Sequence, residues 1–480
     1  FYTSLTTMVG LMSFGFADLE AIREMGFAGA YGVGVVFILS ITLLPAALSF
    51  NRTHPMGRRA AGGSDFLDRF LNVCISCSGL VGDSGHGPES PIARRRRYRA
   101  LVALLLVSVI GVMGANMLRV YHNPLSWLPD TMAIKQSFAL VDGELGGSAA
   151  VQILVDGTPE KGMRDLELMK GLEQFEAHIM AFDDPEGKGL KIGHSMSVLD
   201  VVKETHEAFN TDGENGYRLP ESERGISDML FMFESAGPGE LRQLASTDLS
   251  RSQMTFRTRF IDATSYQPLA DHLAAGIEKY IPEGRSVRPT GTIYTLLSTI
   301  GSLVWDLLRS FGLAFIVITI IMVVLLGGVR LGAIAMVPNL LPIVVIMGVM
   351  GVSNIPIDMS TILIASISIG VAVHDTIHLL HHYRVNLEAT GNVETSIQRA
   401  MSHSGRAMVT TSLILVLGFA AYLAASVSNI QRFGLLVSLT AVLALLIDLI
   451  FAPALLRTFY GRVPSDVEEK KDASEHAQVV

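Results

Sequence analysis

Long apolar segments separated by short polar ones make up residues 1–118 and 303–480 of the chain. About 20 apolar residues in a helix match the thickness of a bilayer's hydrocarbon core. The pattern therefore predicts membrane-spanning helices, with residues 1–16 as part of one span. The predicted complete spans cover residues 27–50, 101–118, 310–328, 331–352, 356–380, 407–426 and 433–456. Residues 385–404 are predicted to form a polar helical connection between two of them.

The polar block between the spans, residues 119–302, has a different pattern. Apolar residues alternate as in strands over 151–155, 252–261 and 286–292, and recur at helical spacing over 164–179 and 266–280. Strands that alternate with helices in this way are typical of an α+β, ferredoxin-like domain. About 180 residues are enough for an independent domain.

Charge assigns the polar blocks to opposite sides of the membrane. The chain of 480 residues is 49% hydrophobic with a net charge of −8, and residues 119–302 alone hold 27 acidic and 17 basic residues. Residues 51–99 hold nine arginines and four acidic residues. Because positive residues favour the cytoplasmic side, residues 51–99 are predicted to be cytoplasmic and 119–302 extracytoplasmic. The run Arg94–Arg97 is interpreted as a topology anchor; binding of anionic lipid headgroups is the second interpretation.

Three titratable residues, His374, Asp375 and His378, lie inside a predicted span. Ionisable groups at membrane depth usually mark an ion pathway or a proton relay. One interpretation is that these groups bind and release protons in the bundle interior, where Gly370 and Ser368 permit close helix packing. The other is that they lie at the membrane–water boundary. We favour the proton relay.

Other polar residues fall within predicted spans. Thr410 and Thr411 either hydrogen-bond towards Asp375 as part of the relay or bond to carbonyls of their own helix. Asn339 lies between two helix-kinking prolines and is interpreted as a partner for the carbonyls that they free. Asp448 is interpreted as a secondary intramembrane site, either pairing with another polar residue or titrating.

The segment Gly370–Arg384 resembles the fourth-helix motif of the resistance–nodulation–division (RND) superfamily, in the branch of the MmpL and Patched proteins. The motif there is Gly-x-x-x-Asp-Asp/Tyr-x-x-His; Asp375 matches the second acidic position and His378 the histidine. His374 stands where many relatives have Asp, so the usual carboxylate pair is not intact.

An internal repeat agrees with that resemblance. Thr6–Ala17 parallels Thr410–Ala420, and Leu44–Leu48 parallels Ala452–Leu456, both pairs at similar spacing. The expected organisation is a truncated first half (1–50), a cytoplasmic linker (51–99), one span (100–118), a porter-like domain (119–302), a five-span sterol-sensing-like block (303–457) and a cytoplasmic tail (458–480).

The resemblance implies a polytopic α-helical membrane protein with an RND-type helix bundle and an α+β, ferredoxin-like extracytoplasmic porter domain. It implies proton-driven export of lipids or other hydrophobic molecules, hopanoid- or sterol-like, from a bacterial inner membrane. The implied partners are protons, membrane lipids, a second or third copy of the chain and a periplasmic protein, with no nucleic acid. The alternative is a lipid-binding or assembly protein that transports nothing.

Two weaker patterns complete the sequence. Met229, Phe231, Met232 and Phe233 form an apolar run that either lines a lipid groove or is the buried face of a helix. Cys74 and Cys77 form a lone C-x-x-C, interpreted as two reduced thiols rather than as a zinc or redox site. No arrangement of catalytic residues is visible, and we expect no enzymatic activity, no cofactor and no metal.

Overall fold

The structure is a computed structural model that describes residues 2–17, 20–50, 65–80, 90–158, 160–209, 216–237 and 239–460. The chain divides into two compact units. One comprises residues 1–120 and 303–480, and the other comprises Tyr121–Ser302. Each unit is described by itself.

Four helices begin the first unit. They are α1 (Tyr2–Met12), α2 (Glu20–Phe50), α3 (Asp65–Cys77) and α4 (Pro91–Ala115). A 3₁₀ turn at Ser13–Phe16 follows α1. Ser90 caps α4 by accepting a hydrogen bond from the Ala93 backbone N–H, and Pro91 occupies the first helical position, where its missing N–H costs nothing.

The second unit is built around a four-stranded antiparallel sheet. Its elements in chain order are α5 (Ala133–Glu144), β1 (Ala149–Asp156), α6 (Leu166–Met180), β2 (Ile192–Met196), α7 (Val198–Phe209), α8 (Glu223–Ala236), β3 (Arg251–Thr258), α9 (Gln267–Tyr280) and β4 (Ser286–Thr290). The spatial order of the strands is β2-β3-β1-β4. Alternate residues of β1, among them Ile153 and Val155, are fully buried against apolar residues of the flanking helices, such as Phe175.

The sequence pattern located three of these strands and missed β2. The predicted strands at 151–155, 252–261 and 286–292 correspond to β1, β3 and β4. Strand β2 has the sequence Ile-Gly-His-Ser-Met, and none of its residues is fully buried. Gly193, His194 and Ser195 interrupt the apolar alternation on which strand prediction depends.

Five long helices complete the chain: α10 (Gly291–Leu326), α11 (Val329–Val352), α12 (Met359–Thr390), α13 (Val393–Ala420) and α14 (Ser428–Tyr460). Among the described residues, seven helices are long and apolar enough to cross a membrane, and Ser4–Phe16 is a shorter apolar helix. This mostly helical architecture agrees with the predicted polytopic membrane protein.

The predicted connection at 385–404 is not a separate helix. Helix α12 runs ten residues beyond the predicted span end to Thr390, and α13 starts at Val393. Gly391 adopts a left-handed conformation (φ 65°) that ends α12, and the Asn392 side chain caps α13. The sequence pattern missed this boundary because the polar ends of two long helices resemble one polar helix.

The two copies of the internal repeat have the same order of elements. In the first, α1, the turn Ser13–Phe16 and α2 follow one another. In the second, α13 is followed by a 3₁₀ turn at Ala421–Ala424 and then by α14. A proline stands near the C-terminal end of the second helix in each copy, at Pro45 and Pro453.

Glycines bring α4 and α11 into backbone contact. A Cβ atom added to Gly114 would lie 2.5 Å from the Gly348 carbonyl oxygen, and one added to Gly348 would lie 2.6 Å from the Gly111 carbonyl oxygen. Neither distance is compatible with a side chain unless the helices separate. Small residues that allow close approach are a main source of helix association in membranes.

We therefore expect Gly348→Ala to destabilise the helix bundle. Overpacking a tight contact typically costs about 1–3 kcal/mol, which should appear as a lower midpoint of thermal unfolding in detergent. Gly418→Ala is the matched control, because a Cβ atom at Gly418 meets nothing within 4 Å. Equal midpoints for the two variants would contradict the importance of the glycine contact.

Candidate functional site

The candidate site lies in the middle of α12, a helix whose two ends are defined by capping residues. Its N-terminus carries a capping box in which the Asp358 side chain accepts the Ser360 and Thr361 backbone N–H groups, while the Thr361 hydroxyl accepts the Asp358 backbone N–H. With Gly391 fixing the other end, consecutive residues in the middle of α12 point towards different neighbouring helices.

Asp375 lies in the interior of the helix bundle. The residue is 3% exposed, and its Oδ2 accepts a hydrogen bond of 3.0 Å from the Ser412 hydroxyl of α13. Within the described residues, Asp375 forms no ion pair with lysine, arginine or histidine. The carboxyl group is therefore held by a neutral donor.

Thr376, the next residue, faces two other helices. Its Oγ1 lies 2.8 Å from Oδ1 of Asp448 on α14 and 2.6 Å from Oδ1 of Asn339 on α11. It is also 3.2 Å from the Ala372 carbonyl oxygen of its own helix. All three side chains of this cluster are buried.

The number of protons in this cluster matters. A threonine hydroxyl has one proton to donate, yet Thr376 Oγ1 faces three acceptor oxygens. A proton on Asp448, or a 180° rotation of the Asn339 amide, supplies the second donor. The proton on Asp448 would have to be on Oδ1, the oxygen that lies 2.8 Å from Thr376 Oγ1, because Oδ2 has no hydrogen-bond partner among the described residues.

His374 faces away from this cluster and lines a cavity of about 550 Å³. The cavity walls also include Thr7 and Gly10 of α1, Gly370 of α12 and Thr411 of α13. The rings of His374 and His378 meet edge to face with centroids 5.1 Å apart, and His378 is exposed. The two histidines therefore lie on a different side of α12 from the Asp375 and Thr376 contacts.

The expected close packing at Gly370 is wrong. A Cβ atom added there would meet nothing within 4 Å, since Gly370 borders the cavity. Ser368 is buried, and its hydroxyl has no hydrogen-bond partner in the described part of the chain. Small residues on α12 thus make room beside His374 rather than draw a helix closer.

Thr410 and Thr411 bond to carbonyls of their own helix, one of the two alternatives left open by the sequence. Thr410 donates to the Arg406 carbonyl, and Thr411 to the Ala407 and Met408 carbonyls. The residue that reaches Asp375 is their neighbour Ser412, which the sequence analysis missed together with Thr376. Both are hydroxyl residues inside apolar spans, which is the signal that could have identified them.

Asn339 has partners other than those predicted. Its Oδ1 accepts from Thr376, and its Nδ2 lies 3.9 Å from the Met336 sulfur, so the recorded partners are side chains and not proline-freed carbonyls. Asp448 does pair with another polar residue, Thr376. Together these contacts connect α11, α12 and α14 through one threonine.

The apolar run on α8 is divided between core and surface. Met229 is buried in the core of the second unit, and Phe233 packs against that core. Phe231 is 70% exposed and Met232 is 39% exposed. Each interpretation of the run therefore applies to part of it, because neighbouring positions on a helix face different directions.

The two cysteines occupy different environments on α3. Cys74 is buried, which raises the pKa of its thiol to about 11, and Cys77 is exposed. A buried thiol of high pKa is a poor nucleophile. Among the described residues, no group of three or more His, Cys, Asp or Glu side chains is arranged to hold a metal ion.

Comparison with known proteins identifies the relationship. Residues 244–477 match the model of the MMPL family. The match covers 234 of the 480 residues of the chain and includes parts of both compact units. It contains every residue of the cluster around Asp375 and Thr376, and it confirms the predicted relationship to the RND superfamily in its MmpL- and Patched-like branch.

Two relatives match more of the chain than the family model does. A membrane protein of Methanocaldococcus jannaschii is 22% identical over 377 residues, which cover 76% of this chain and 91% of the relative. The cryo-EM structure of the hedgehog release protein Disp from the water bear Hypsibius dujardini matches with a TM-score of 0.62 and 14% identity. That match covers 95% of this chain and 57% of the Disp chain, so this chain spans little more than half of that structure.

We expect Thr376→Val to destabilise the helix bundle. Valine has nearly the shape of threonine but leaves the Asp448 and Asn339 oxygens without the hydroxyl, and an unsatisfied buried polar group typically costs about 1–3 kcal/mol. Thermal unfolding in detergent measures the effect. Thr376→Ser should retain most of the stability, and Thr410→Val, at an exposed hydroxyl, should be nearly neutral. Equal stability of Thr376→Val and Thr410→Val would show that the cluster is dispensable for the fold.

Proposed function

We propose that this protein uses a proton gradient to export lipids or other hydrophobic molecules from the membrane. The observation that carries this proposal is the pair of buried carboxyl groups, Asp375 and Asp448, held by hydroxyl donors from neighbouring helices. Carboxylates kept in an apolar bundle without a cationic partner among the described residues are costly for stability alone. Such groups in membrane helices usually serve ion transfer.

Protonation can change how the helices pack. When a carboxyl group gains or loses a proton, its oxygens change between donor and acceptor, and the hydroxyls of Ser412 and Thr376 must reorient. Ser412 links α12 to α13, and Thr376 links α12 to α11 and α14. A proton on Asp375 therefore acts on the contact between α12 and α13, and a proton on Asp448 acts on the contacts among α11, α12 and α14.

The energies are of the right size for coupling. One charge that crosses a potential of about 100 mV supplies roughly 2.3 kcal/mol. A hydrogen bond to a charged group contributes about 1.5–3 kcal/mol. A single proton can therefore shift the balance between two packing arrangements that differ by one such bond, and it does not need to disrupt the bundle.

In this proposal the cavity beside His374 gives protons access to the site. His374 is half-buried at the cavity wall, and His378 continues the path to an exposed face. An imidazole can accept a proton at one nitrogen and release one from the other near neutral pH. Thr411 lines the same cavity and belongs to the access route rather than to the carboxyl cluster.

For the second unit we propose an extracytoplasmic, ferredoxin-like porter domain. The strand order β2-β3-β1-β4 with antiparallel pairing, and α6 and α9 as the crossovers, supports that topology. The nine arginines of residues 51–99, which favour the cytoplasm for that linker, support a location of the second unit on the opposite side. Exposed Phe231 and Met232 are the proposed contacts for a hydrophobic substrate.

The cellular setting belongs to the same proposal. Seven candidate spans and the membrane-protein relative support a multi-pass protein, for which we propose the bacterial inner membrane. Hopanoid- or sterol-like lipids are the proposed substrates, with a homodimer or homotrimer and a periplasmic partner protein. Disp is a hedgehog release protein, and a release function in a related fold is consistent with the proposed export.

We expect Asp375→Asn to abolish gradient-driven transport without loss of folding. Asparagine keeps the size and an acceptor for Ser412 but cannot release a proton near neutral pH. The assay is transfer of a labelled sterol-like lipid from proteoliposomes with an imposed proton gradient. Glu388→Gln, an exposed carboxylate on the same helix, is the control.

Wild-type transport by Asp375→Asn would exclude the proton relay at this residue. Gradient-independent lipid binding by the wild-type protein, without any transfer, would favour the alternative of a lipid-binding or assembly protein.

We expect the second unit and Cys77 to lie on opposite sides of the membrane. A cysteine placed at exposed Glu283, in a Cys77→Ser background, should react with a membrane-impermeant maleimide in intact cells. Native Cys77, which is also exposed, should react only after permeabilisation. The reverse labelling order would invert the proposed topology.

A further inference from the structure

A second cavity, of about 620 Å³, lies between α3, α4 and α14, away from the carboxyl cluster. Its size falls within the range of about 300–1,000 Å³ that is common for small-ligand sites. Arg96 and Arg99 of α4 line one side, and Ile450 and Phe451 of α14 line another. One wall is thus cationic and the other apolar.

The two arginines are available to a ligand. They are three positions apart on α4, so they share a face of the helix. Within the described residues, neither forms a hydrogen bond or an ion pair, and both are exposed. The neighbouring arginines differ, since Arg94 and Arg97 lie over the ring of Tyr98.

The walls of the cavity are fixed by buried contacts. Leu71 and Cys74 of α3 pack in the core of the first unit, while Val73 and Cys77 on the other face of α3 line the cavity. Arg457 of α14 donates to the Gly79 carbonyl just after α3, at 3.0 Å, and pairs with Glu394 at 3.1 Å. This cavity is therefore a formed site and not a gap left by a loosely attached helix.

We propose that this cavity binds an anionic phospholipid, with the phosphate on Arg96 and Arg99 and an acyl chain along Ile450 and Phe451. Arginine forms bidentate contacts with phosphate groups. The arginines lie where α4 passes from its charged first turns into its apolar part, which is the level of lipid headgroups. Basic pockets between membrane helices are typical sites for anionic headgroups.

An anionic phospholipid fits both walls, whereas other anions fit only one. Inorganic phosphate would leave the apolar wall uncovered. A zwitterionic phospholipid would place a positive group beside two unpaired arginines. The bound lipid would fasten α3 to α4 and α14, and this role is separate from the proposed proton transfer at Asp375.

The test compares two double variants with the same change in charge. Arg96→Gln/Arg99→Gln removes the proposed phosphate ligands, while Arg94→Gln/Arg95→Gln removes two arginines of the same run that do not line the cavity. Lipid binding to the detergent-purified protein is measured by native mass spectrometry with phosphatidylglycerol and with phosphatidylcholine. In detergent there is no anionic surface, so only arginines close to the phosphate attract the lipid; at about fivefold for each, losing both should weaken phosphatidylglycerol binding about 25-fold.

The control variant should lose less than about threefold, from general electrostatics. Equal losses in the two double variants would mean that the run acts as a diffuse charge and would overturn the proposal. Equal wild-type affinity for phosphatidylglycerol and phosphatidylcholine would overturn it too. Displacement of the lipid by millimolar inorganic phosphate alone would assign the site to free phosphate.

Cys77 provides a second readout that does not depend on affinity in detergent. It lines the cavity and is exposed, whereas Cys74 is buried with a pKa of about 11 and should not react. In lipid nanodiscs, phosphatidylglycerol should slow maleimide labelling of Cys77 relative to phosphatidylcholine. The difference should vanish in Arg96→Gln/Arg99→Gln and persist in Arg94→Gln/Arg95→Gln. Identical labelling rates in both lipids for the wild-type protein would place the lipid elsewhere.

Discussion

The helix packing of the first unit depends on hydrogen bonds to buried carboxyl groups, because a bilayer interior offers no water to replace them. Asp375 and Asp448 are nearly inaccessible, and each obtains a hydroxyl partner from a neighbouring helix. A buried polar group without a partner costs more than a satisfied one returns. The relative rotation of α12 and its neighbours is therefore restricted to orientations in which Ser412 and Thr376 reach those carboxyl groups. The contacts that fix the packing are the same contacts that a proton can rearrange.

Close glycine packing provides the complementary constraint. The contact of Gly111 and Gly114 with Gly348 holds α4 against α11 backbone to backbone, with no space for sliding. Helix α11 also carries Asn339, which accepts from Thr376. The face of α11 that carries Gly348 is thus rigid, and the face that carries Asn339 is polar and adjustable. The proposed transport needs both properties, since a proton-dependent contact can do work only against a fixed frame.

Sequence periodicity was sufficient for the spans because the bilayer sets their length, and seven helices of the described chain meet that criterion. It also located β1, β3 and β4, each of which places at least one apolar residue in the core, and it failed for β2, in which no residue is buried. The candidate site was only partly predictable. Asp375 stands out as a charge in an apolar run, whereas Ser412 and Thr376 resemble ordinary small residues of a span. Which hydroxyl reaches which carboxyl group depends on helix rotation, and that is a property of the assembled bundle.

The consecutive residues His374, Asp375 and Thr376 show how one helix can serve three surroundings. Successive side chains on a helix are separated by about 100°, so His374 faces a cavity, Asp375 faces α13, and Thr376 faces α11 and α14. His374, which stands where many relatives have an aspartate, therefore does not form a pair with Asp375. It puts a titratable ring at the cavity wall, while the second carboxyl group comes from Asp448 on another helix. The resemblance to the RND motif locates the helix, whereas Ser412 and Asp448, which complete the buried polar contacts, lie on α13 and α14 outside the motif.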